Sequence, residues 1–417
     1  MKKGRFKIKF FKILILGILL RLLLMPVTLH PDLLGHSFAA YFFAYEGKIN
    51  LYDTLASLPS DYPLVRNFGV SDMFIYPPLA YYTLGFFRIL VKPFTDPNFI
   101  PWLMENLSQI HSYHRLFEHL FFYKLPYLFL DVVLAYLLAG LFEDQRKKKL
   151  AFSLWMFNPL AIYVSFMMGQ MDLLPTFFTV LSLYLFKKKR VFLSAIMLGL
   201  AASYKLYPLF LLLPLAFLGS EKLITRIKIA AAGFLPFIFF LAPYISSSAF
   251  RAQVFSPKSQ KMLYMGWPVS GAEVVYPFVI VLFLIYFYAY YSKIRRDLAV
   301  YFIGVLLAIY SVTHFHPQWF LWVTPFLILE LVENNFKYGL LVLTLFSCWL
   351  FITLMFEASL SYGLFVPLKP SLAKAQSLSV FVSRFTDVYQ FKSLLRSVLA
   401  GTAIFYSFMI FENKNNV

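Results

Sequence analysis

Long apolar runs alternate with polar breaks along the whole chain. The first run, Ile13 to Val27, follows the basic stretch Met1 to Lys12. No small-x-small cleavage site comes after it, so the pattern predicts an uncleaved first helix within residues 1–27. A mixed stretch over 28–119 comes next. Its one apolar run, Pro77 to Val91, is short and opens on two prolines. Beyond it the runs are Leu120 to Leu141, Ala151 to Met167, Leu173 to Phe186, Val191 to Leu218, Ile229 to Tyr244, Tyr276 to Tyr291, Leu298 to Val312, Trp319 to Leu331, Tyr338 to Met355 and about Leu394 to Ile410. A membrane helix needs roughly 20 apolar residues, or about 17 at the short end. The runs therefore predict an all-α polytopic membrane protein with about twelve spans, Val191 to Leu218 holding two short ones around an elbow at Tyr204 to Pro208.

Composition narrows this further. Of 417 residues, 60% are hydrophobic and 14% charged, where a soluble domain carries about 25% charged residues. The formal charge of +18 suggests nucleic acid only until its placement is read. The basic residues fall in short runs between apolar spans: Lys2-Lys3, Arg146 to Lys149, Lys187 to Arg190 and Arg295-Arg296. That is the positive-inside pattern of cytoplasmic loops, and it excludes a nucleic-acid partner. The single cysteine, Cys348, rules out an intrachain disulfide. No break in composition separates a soluble domain, so 1–417 reads as a single integral-membrane domain. Its parts are a signal-anchor helix (1–27), a first external loop (28–119), core helices (120–333) and C-terminal helices (334–417) with a second external segment at 357–390.

Parity orients the spans. The first helix leads outward and Arg146 to Lys149 lies inside, so one inward crossing, Leu120 to Leu141, places 28–119 outside. Pro77 to Val91 then reads as an interfacial helix. Both termini are cytoplasmic, and in a prokaryote the membrane is the plasma membrane.

On this topology the polar residues with chemistry collect on the external side. Asp32 follows the first helix by about five residues and is either a solvated loop acid or a general base for an acceptor hydroxyl. Arg21 inside the first span and Asp131 in the second are intramembrane charges, functional candidates by default. For Arg21 the alternative is snorkelling to the interface, and for Asp131 a buried hydrogen bond. Gln170 and Asp172 sit at a hairpin tip, where turn preference alone favours Gly and Asp. Lys205 has no acid nearby in sequence and suits a phosphate as a point charge, or snorkels outward. His314 and His316 share a face only in an extended segment, and without a neighbouring carboxylate or cysteine they suit a phosphate or sugar better than a metal. Gln318 and Trp319 extend that donor set, although tryptophan also marks the ordinary membrane interface.

The order of these motifs carries a resemblance. Asp32 after the first helix, Tyr76-Pro77-Pro78-Leu79, Gly169-Gln170-Met171-Asp172, Lys205-Leu206-Tyr207-Pro208 and His316-Pro317-Gln318-Trp319-Phe320-Leu321-Trp322 together resemble the GT-C superfamily of membrane glycosyltransferases. The likeness is strongest to prokaryotic mannosyltransferase-like members and the glycosylphosphatidylinositol mannosyltransferase I family, and it runs from Arg21 to about Pro325. It implies a GT-C-like bundle whose long first loop carries short interfacial helices. It also implies inverting transfer of a hexose, mannose by resemblance, from a polyprenyl-phosphate carrier to a hydroxyl of a glycolipid, glycan or protein. Asp32 would be the base. Arg21, Lys205, Tyr207, His314, His316, Gln318 and Trp319 would hold the donor and its phosphate. Tyr76, Pro77, Gln170 and Asp172 would line the site, and no metal or cofactor is expected. A transporter or lipid-linked sugar flippase is the alternative, with the intramembrane charges as its pathway. Against it stand the one-sided polar cluster and the lack of an internal repeat.

Overall fold

A computed structural model describes residues 2–70, 73–255, 265–292, 294, 296–314 and 316–413, without the side chains of 2–9. Asp72, Arg295, Phe315, residues 256–264 of the predicted external loop and the Lys2-Lys3 side chains lie outside the described residues. The chain is 74% helical. Among the described residues its strands form one short antiparallel hairpin, β1 (Trp267–Ser270) with β2 (Glu273–Val275).

The N-terminal third begins with α1 (Lys2–Leu24), which ends before Pro26. The predicted external loop is folded rather than open. Its helices are α2 (Pro31–Ala44), α3 (Leu51–Ala56), α4 (Pro63–Asn67), α5 (Pro78–Val91) and α6 (Phe99–Glu105). Proline at the first helical position starts α2, α4 and α5, where its missing N–H costs nothing. α2 packs along α5, and both rest on α7 (Leu116–Gly140) and its neighbours.

The central third holds α8 (Gln145–Met156), α9 (Pro159–Ile162), a π-helical turn over Tyr163–Met167, α10 (Leu173–Lys187), α11 (Val191–Ala202), α12 (Leu209–Gly219) and α13 (Leu223–Leu241). The basic residues 146–149, expected in a loop, instead form the first turns of α8, capped by Asp144 accepting from Lys147 N. The run predicted as one span at Ala151 to Met167 is bent by 40° at Asn158-Pro159. Asn158 caps the new helix there, and Pro159 could not have continued the old one. The elbow expected at Tyr204 to Pro208 separates α11 from α12. At about 1.5 Å rise per residue, helices of 12 and 11 residues are too short for either to cross a hydrocarbon core of about 30 Å alone. α11 lies against α10 and α13. A Cβ on Gly199 would come within 1.9 Å of the Gly233 carbonyl of α13, so glycine permits the close backbone crossing typical of membrane helices.

The last third contains α14 (Ser248–Val254), α15 (Pro277–Tyr291), α16 (Leu298–Val312), a 3-10 stretch over Pro317–Trp322, α17 (Thr324–Glu333), α18 (Gly339–Leu354), α19 (Leu378–Val382) and α20 (Val388–Glu412). The segment predicted as a span from Trp319 therefore starts as a tight 3-10 helix. One buried apolar cluster runs from Met25 to Ile410. Among the described residues three helices, α7, α13 extended to Tyr244, and α20, are long and apolar enough to cross a membrane, or four if the bent α8–α9 pair is one span. Shorter apolar helices, among them α10, α15, α16 and α18, complete a multi-pass membrane protein.

Candidate active site

The site is built around two chain reversals. The first is the start of α2. Pro31 opens the helix, and His30 caps it through Nδ1, which accepts from Asp32 N at 3.2 Å. Asp32 thus lies in the first helical turn, where unsatisfied N–H groups favour a carboxylate. Its side chain is 42% exposed, with His30 Nδ1 3.7 Å away.

The second is the tip 169–172. Gly169 has φ +73°, and a Cβ there would also strike Leu33 of α2 at 2.9 Å. Only glycine turns the chain this close to α2 without strain. The next residue, Gln170, is buried and donates from Nε2 to Asp32 Oδ2 at 2.5 Å. Asp172, fully buried, accepts at Oδ1 from Lys205 Nζ (2.8 Å) and Trp322 Nε1 (2.7 Å). The four-residue tip thereby ties one carboxylate to an amide and the other to a cation. Lys124 of α7 anchors the arrangement from behind. Its Nζ donates to the carbonyls of Met25, Thr28 and Met167 and to Thr28 Oγ1 at 2.6–3.1 Å.

Lys205 corrects one sequence inference. No acid neighbours it in sequence, yet the elbow between α11 and α12 brings it onto Asp172 from 33 residues away. It is 7% exposed and does not snorkel. Aromatic rings wall it in: Nζ is 5.0 Å from the Tyr76 ring centre and 5.5 Å from that of Trp322. Tyr207 stacks on Trp322 at 4.1 Å, and Trp319 stacks on Trp322 at 5.0 Å. His316 then meets Trp319 edge-on at 5.2 Å.

The electrostatics place both carboxylates in one site. Burial first, then the fields of Asp32 and Asp172, hold the Tyr76 phenol well above its usual range. His316 feels the same two acids and Lys205, but burial dominates and pushes it down to about 4. Burial likewise takes His36, one turn after Asp32, down to about 4. Burial pulls Asp32 upward, but His30, His36, the Gln170 hydrogen bond and His316 together hold it below the usual carboxylate range. At neutral pH His36 and His316 are uncharged, which leaves the Gln170 bond as a support that persists. Asp32 is then an ionised, partly open proton acceptor.

Not every candidate joins this cluster. Arg21, expected near a donor phosphate, is fully buried, with Nε 2.8 Å from Asp131 Oδ2 and Nη1 donating to the carbonyls of Gly17 and Met156. Trp155 completes the Asp131 end at 3.0 Å. Asp131 holds the Arg21 guanidinium inside the bundle, and Arg21 does not join the Asp32 cluster. His314 meets the His316 ring at 5.2 Å, and the charges acting on it are Arg396 and Lys392 of α20. Gln318 is buried in the 3-10 stretch and makes no side-chain hydrogen bond among the described residues, and Pro77 is buried as the residue that caps α5. Asp53, another acid of the loop, is engaged by Asn50 and Ser247 around α3.

His36 and Lys124 escaped the sequence reading, and Trp322, though part of the quoted motif, was given no role of its own there. His36 stands four residues after Asp32, a spacing that matters only once Asp32 is known to begin a helix. Trp322 stands three after Trp319, and a 3-10 turn, not an α-turn, stacks them. Lys124 lies inside a span, four residues from its start, with no local acid to flag it.

Residues 120–260 match the model of Glycosyltransferase family 87. That range holds the tip 169–172 and the elbow with Lys205 and Tyr207. The likeness is to glycosyltransferases. The chain is also 30% identical over 148 residues to GPI mannosyltransferase 1 of Candida albicans, a segment that is 34% of each chain. The chain thus matches about a third of that relative's length. No solved structure matches. The expected resemblance to a GT-C-like mannosyltransferase is supported by both matches. The half of the site contributed by Asp32 and His316 to Trp322 lies outside the family-matched segment and rests on geometry.

Proposed function

We propose that the protein is an inverting membrane glycosyltransferase that moves a hexose, mannose by kinship, from a polyprenyl-phosphate carrier to an acceptor hydroxyl at the external face. The observation that carries this reading is the tip 169–172, which holds Asp32 through Gln170 and Lys205 through Asp172. One turn of chain thereby spaces a proton acceptor and a cation across a single concave site.

The chemistry follows from that spacing. Asp32 takes the proton as the acceptor oxygen attacks the anomeric carbon. The bond to the carrier phosphate breaks on the opposite face, and the departing phosphate keeps the electron pair. Phosphate leaves without a protonated acid behind it but needs donors for its developing charge. Lys205 supplies the charge, and His316 and Tyr207 flank it on the aromatic wall. The reaction so written uses no metal and no cofactor. In this reading α10, α15, α16 and α18 are further spans, both termini are cytoplasmic, and the acceptor is a glycolipid, glycan or protein.

The deciding experiment uses purified protein in liposomes with a mannosyl polyprenyl phosphate and an extract of envelope glycolipids. Sugar transfer by the wild type and its loss in Asp32→Asn, at unchanged melting temperature, is the expected result. Translocation of the donor without transfer would reject the enzyme in favour of a carrier.

A further inference from the structure

Five basic side chains other than histidine are buried among the described residues: Arg21, Arg88, Lys124, Lys205 and Arg296. Four are satisfied. Arg21 and Lys205 have carboxylates, Lys124 has four oxygens, and Arg296 donates to the carbonyls of Asn413 and Glu412. Arg88 of α5 is the exception. It is 4% exposed and has neither a hydrogen bond nor an ion pair among the described residues. Its guanidinium lies against the face of Tyr123, 3.0 Å from the ring centre. Such a contact offsets only part of the cost of burying an unpaired ion. Burial lowers Arg88 to about 9, so it remains a cation at neutral pH.

The uncompensated charge opens onto a cavity between α2, α5 and α7, lined by Arg88, His36, Tyr123 and Tyr127 on its polar side and by Phe87 and Phe122 on its apolar side. A second orphan group sits there: buried His36 has no partner for Nδ1. The cavity, about 20 Å³, has room for about one water-sized group. One oxygen of an anion fits past its lip, and a sugar ring does not. Any larger ligand must keep its body outside, along Phe87, Val91 and Phe122.

We propose that this cavity is an anion subsite for the phosphate headgroup of an amphiphile, with Arg88 donating to the inserted oxygen and the apolar lip carrying the lipid chain. It is separate from Lys205, whose charge is matched by Asp172. It also shares α2 with Asp32, so the bound lipid presents itself behind the proposed base. The subsite does not depend on sugar transfer, because binding alone reads it out.

The test titrates the full-length protein in detergent with inorganic phosphate, dioleoyl phosphatidic acid and dioleoyl glycerol, following thermal unfolding. Phosphatidic acid is expected to raise the melting temperature of the wild type, with affinity about tenfold or more weaker in Arg88→Leu and intermediate in Arg88→Lys, which keeps the charge without the fork. Dioleoyl glycerol, which lacks the anion, is expected to do nothing. An Arg88-dependent response to inorganic phosphate as strong as that to phosphatidic acid keeps the anion site but assigns it to the free ion. Should Arg88→Leu fail to fold, the wild type and Arg88→Lys decide alone. No response of the wild type to either phosphate, or equal responses in wild type and Arg88→Lys, overturns the proposal.

Discussion

Arg21–Asp131 and Lys205–Asp172 are two ion pairs buried in the same bundle, each joining helices far apart in sequence. Each couples a cation to an aspartate that also accepts from a tryptophan, Trp155 in one and Trp322 in the other. Their surroundings separate them. Arg21 donates from Nη1 to two backbone carbonyls, packs its guanidinium 5.1 Å from the Phe166 ring centre and leaves Nη2 buried without a partner among the described residues, so nothing in its surroundings reaches the Asp32 cluster. Lys205 has one oxygen partner and two aromatic walls, and the tip that carries its aspartate also carries the amide that touches Asp32. Burial is the same in kind, so burial does not distinguish a structural pair from a working one. What distinguishes them is whether the neighbours of the pair reach a second reactive group, as the tip 169–172 reaches Asp32.

The comparison breaks or sharpens under mutation. The largest effect is expected from Asp32→Asn, a loss of about 10²–10⁴-fold in kcat with the fold intact; undiminished turnover removes the base. Arg21→Leu is expected to destabilise by about 3–5 kcal/mol, because it leaves Asp131 buried and unpaired, while each molecule that stays folded transfers sugar at the wild-type rate. A catalytic defect in folded Arg21→Leu protein would erase the distinction between the pairs. Lys205→Met alone also strands a buried carboxylate, so it is read beside Lys205→Met/Asp172→Asn. The double variant should regain stability yet keep a KM for the lipid-linked donor about tenfold or more above wild type, and recovery of the wild-type KM would make this pair structural as well.

Gln170→Leu should cost about tenfold in kcat, since it removes one charge-assisted hydrogen bond from the carboxylate. The smallest expected effect is that of pH. Asp32 lies below the usual carboxylate range, while His36 and His316 stand at about 4. Between about pH 6 and 8 Asp32 stays ionised and both histidines stay neutral, so kcat/KM should be flat there. A limb near the ordinary histidine value would show that a ligand re-solvates one of these rings.

Much of the architecture was legible from residues alone. Apolar run length and basic flanks located the helices, and Tyr204 to Pro208 announced the elbow because a lysine and a proline interrupt an otherwise apolar run. The π-turn at Tyr163–Met167 and the 3-10 stretch at Pro317–Trp322 were hidden, because both are apolar segments whose periodicity matches an ordinary helix. Asp32 was legible as an acid at a helix end.

Its partnership with Gln170 was not legible, since the contact spans 138 residues and depends on a left-handed glycine packed against Leu33. The sequence by itself determined a helical membrane protein, the order of its motifs and the identity of its charged candidates, because those follow from local hydrophobicity and turn chemistry. Only the tertiary structure decided that Lys205 is paired, that Arg21 is committed to Asp131 and that Arg88 is not committed at all. In a low-dielectric interior the role of a charge is set by which charge lies within a few ångströms, and chain separation carries no information about that distance.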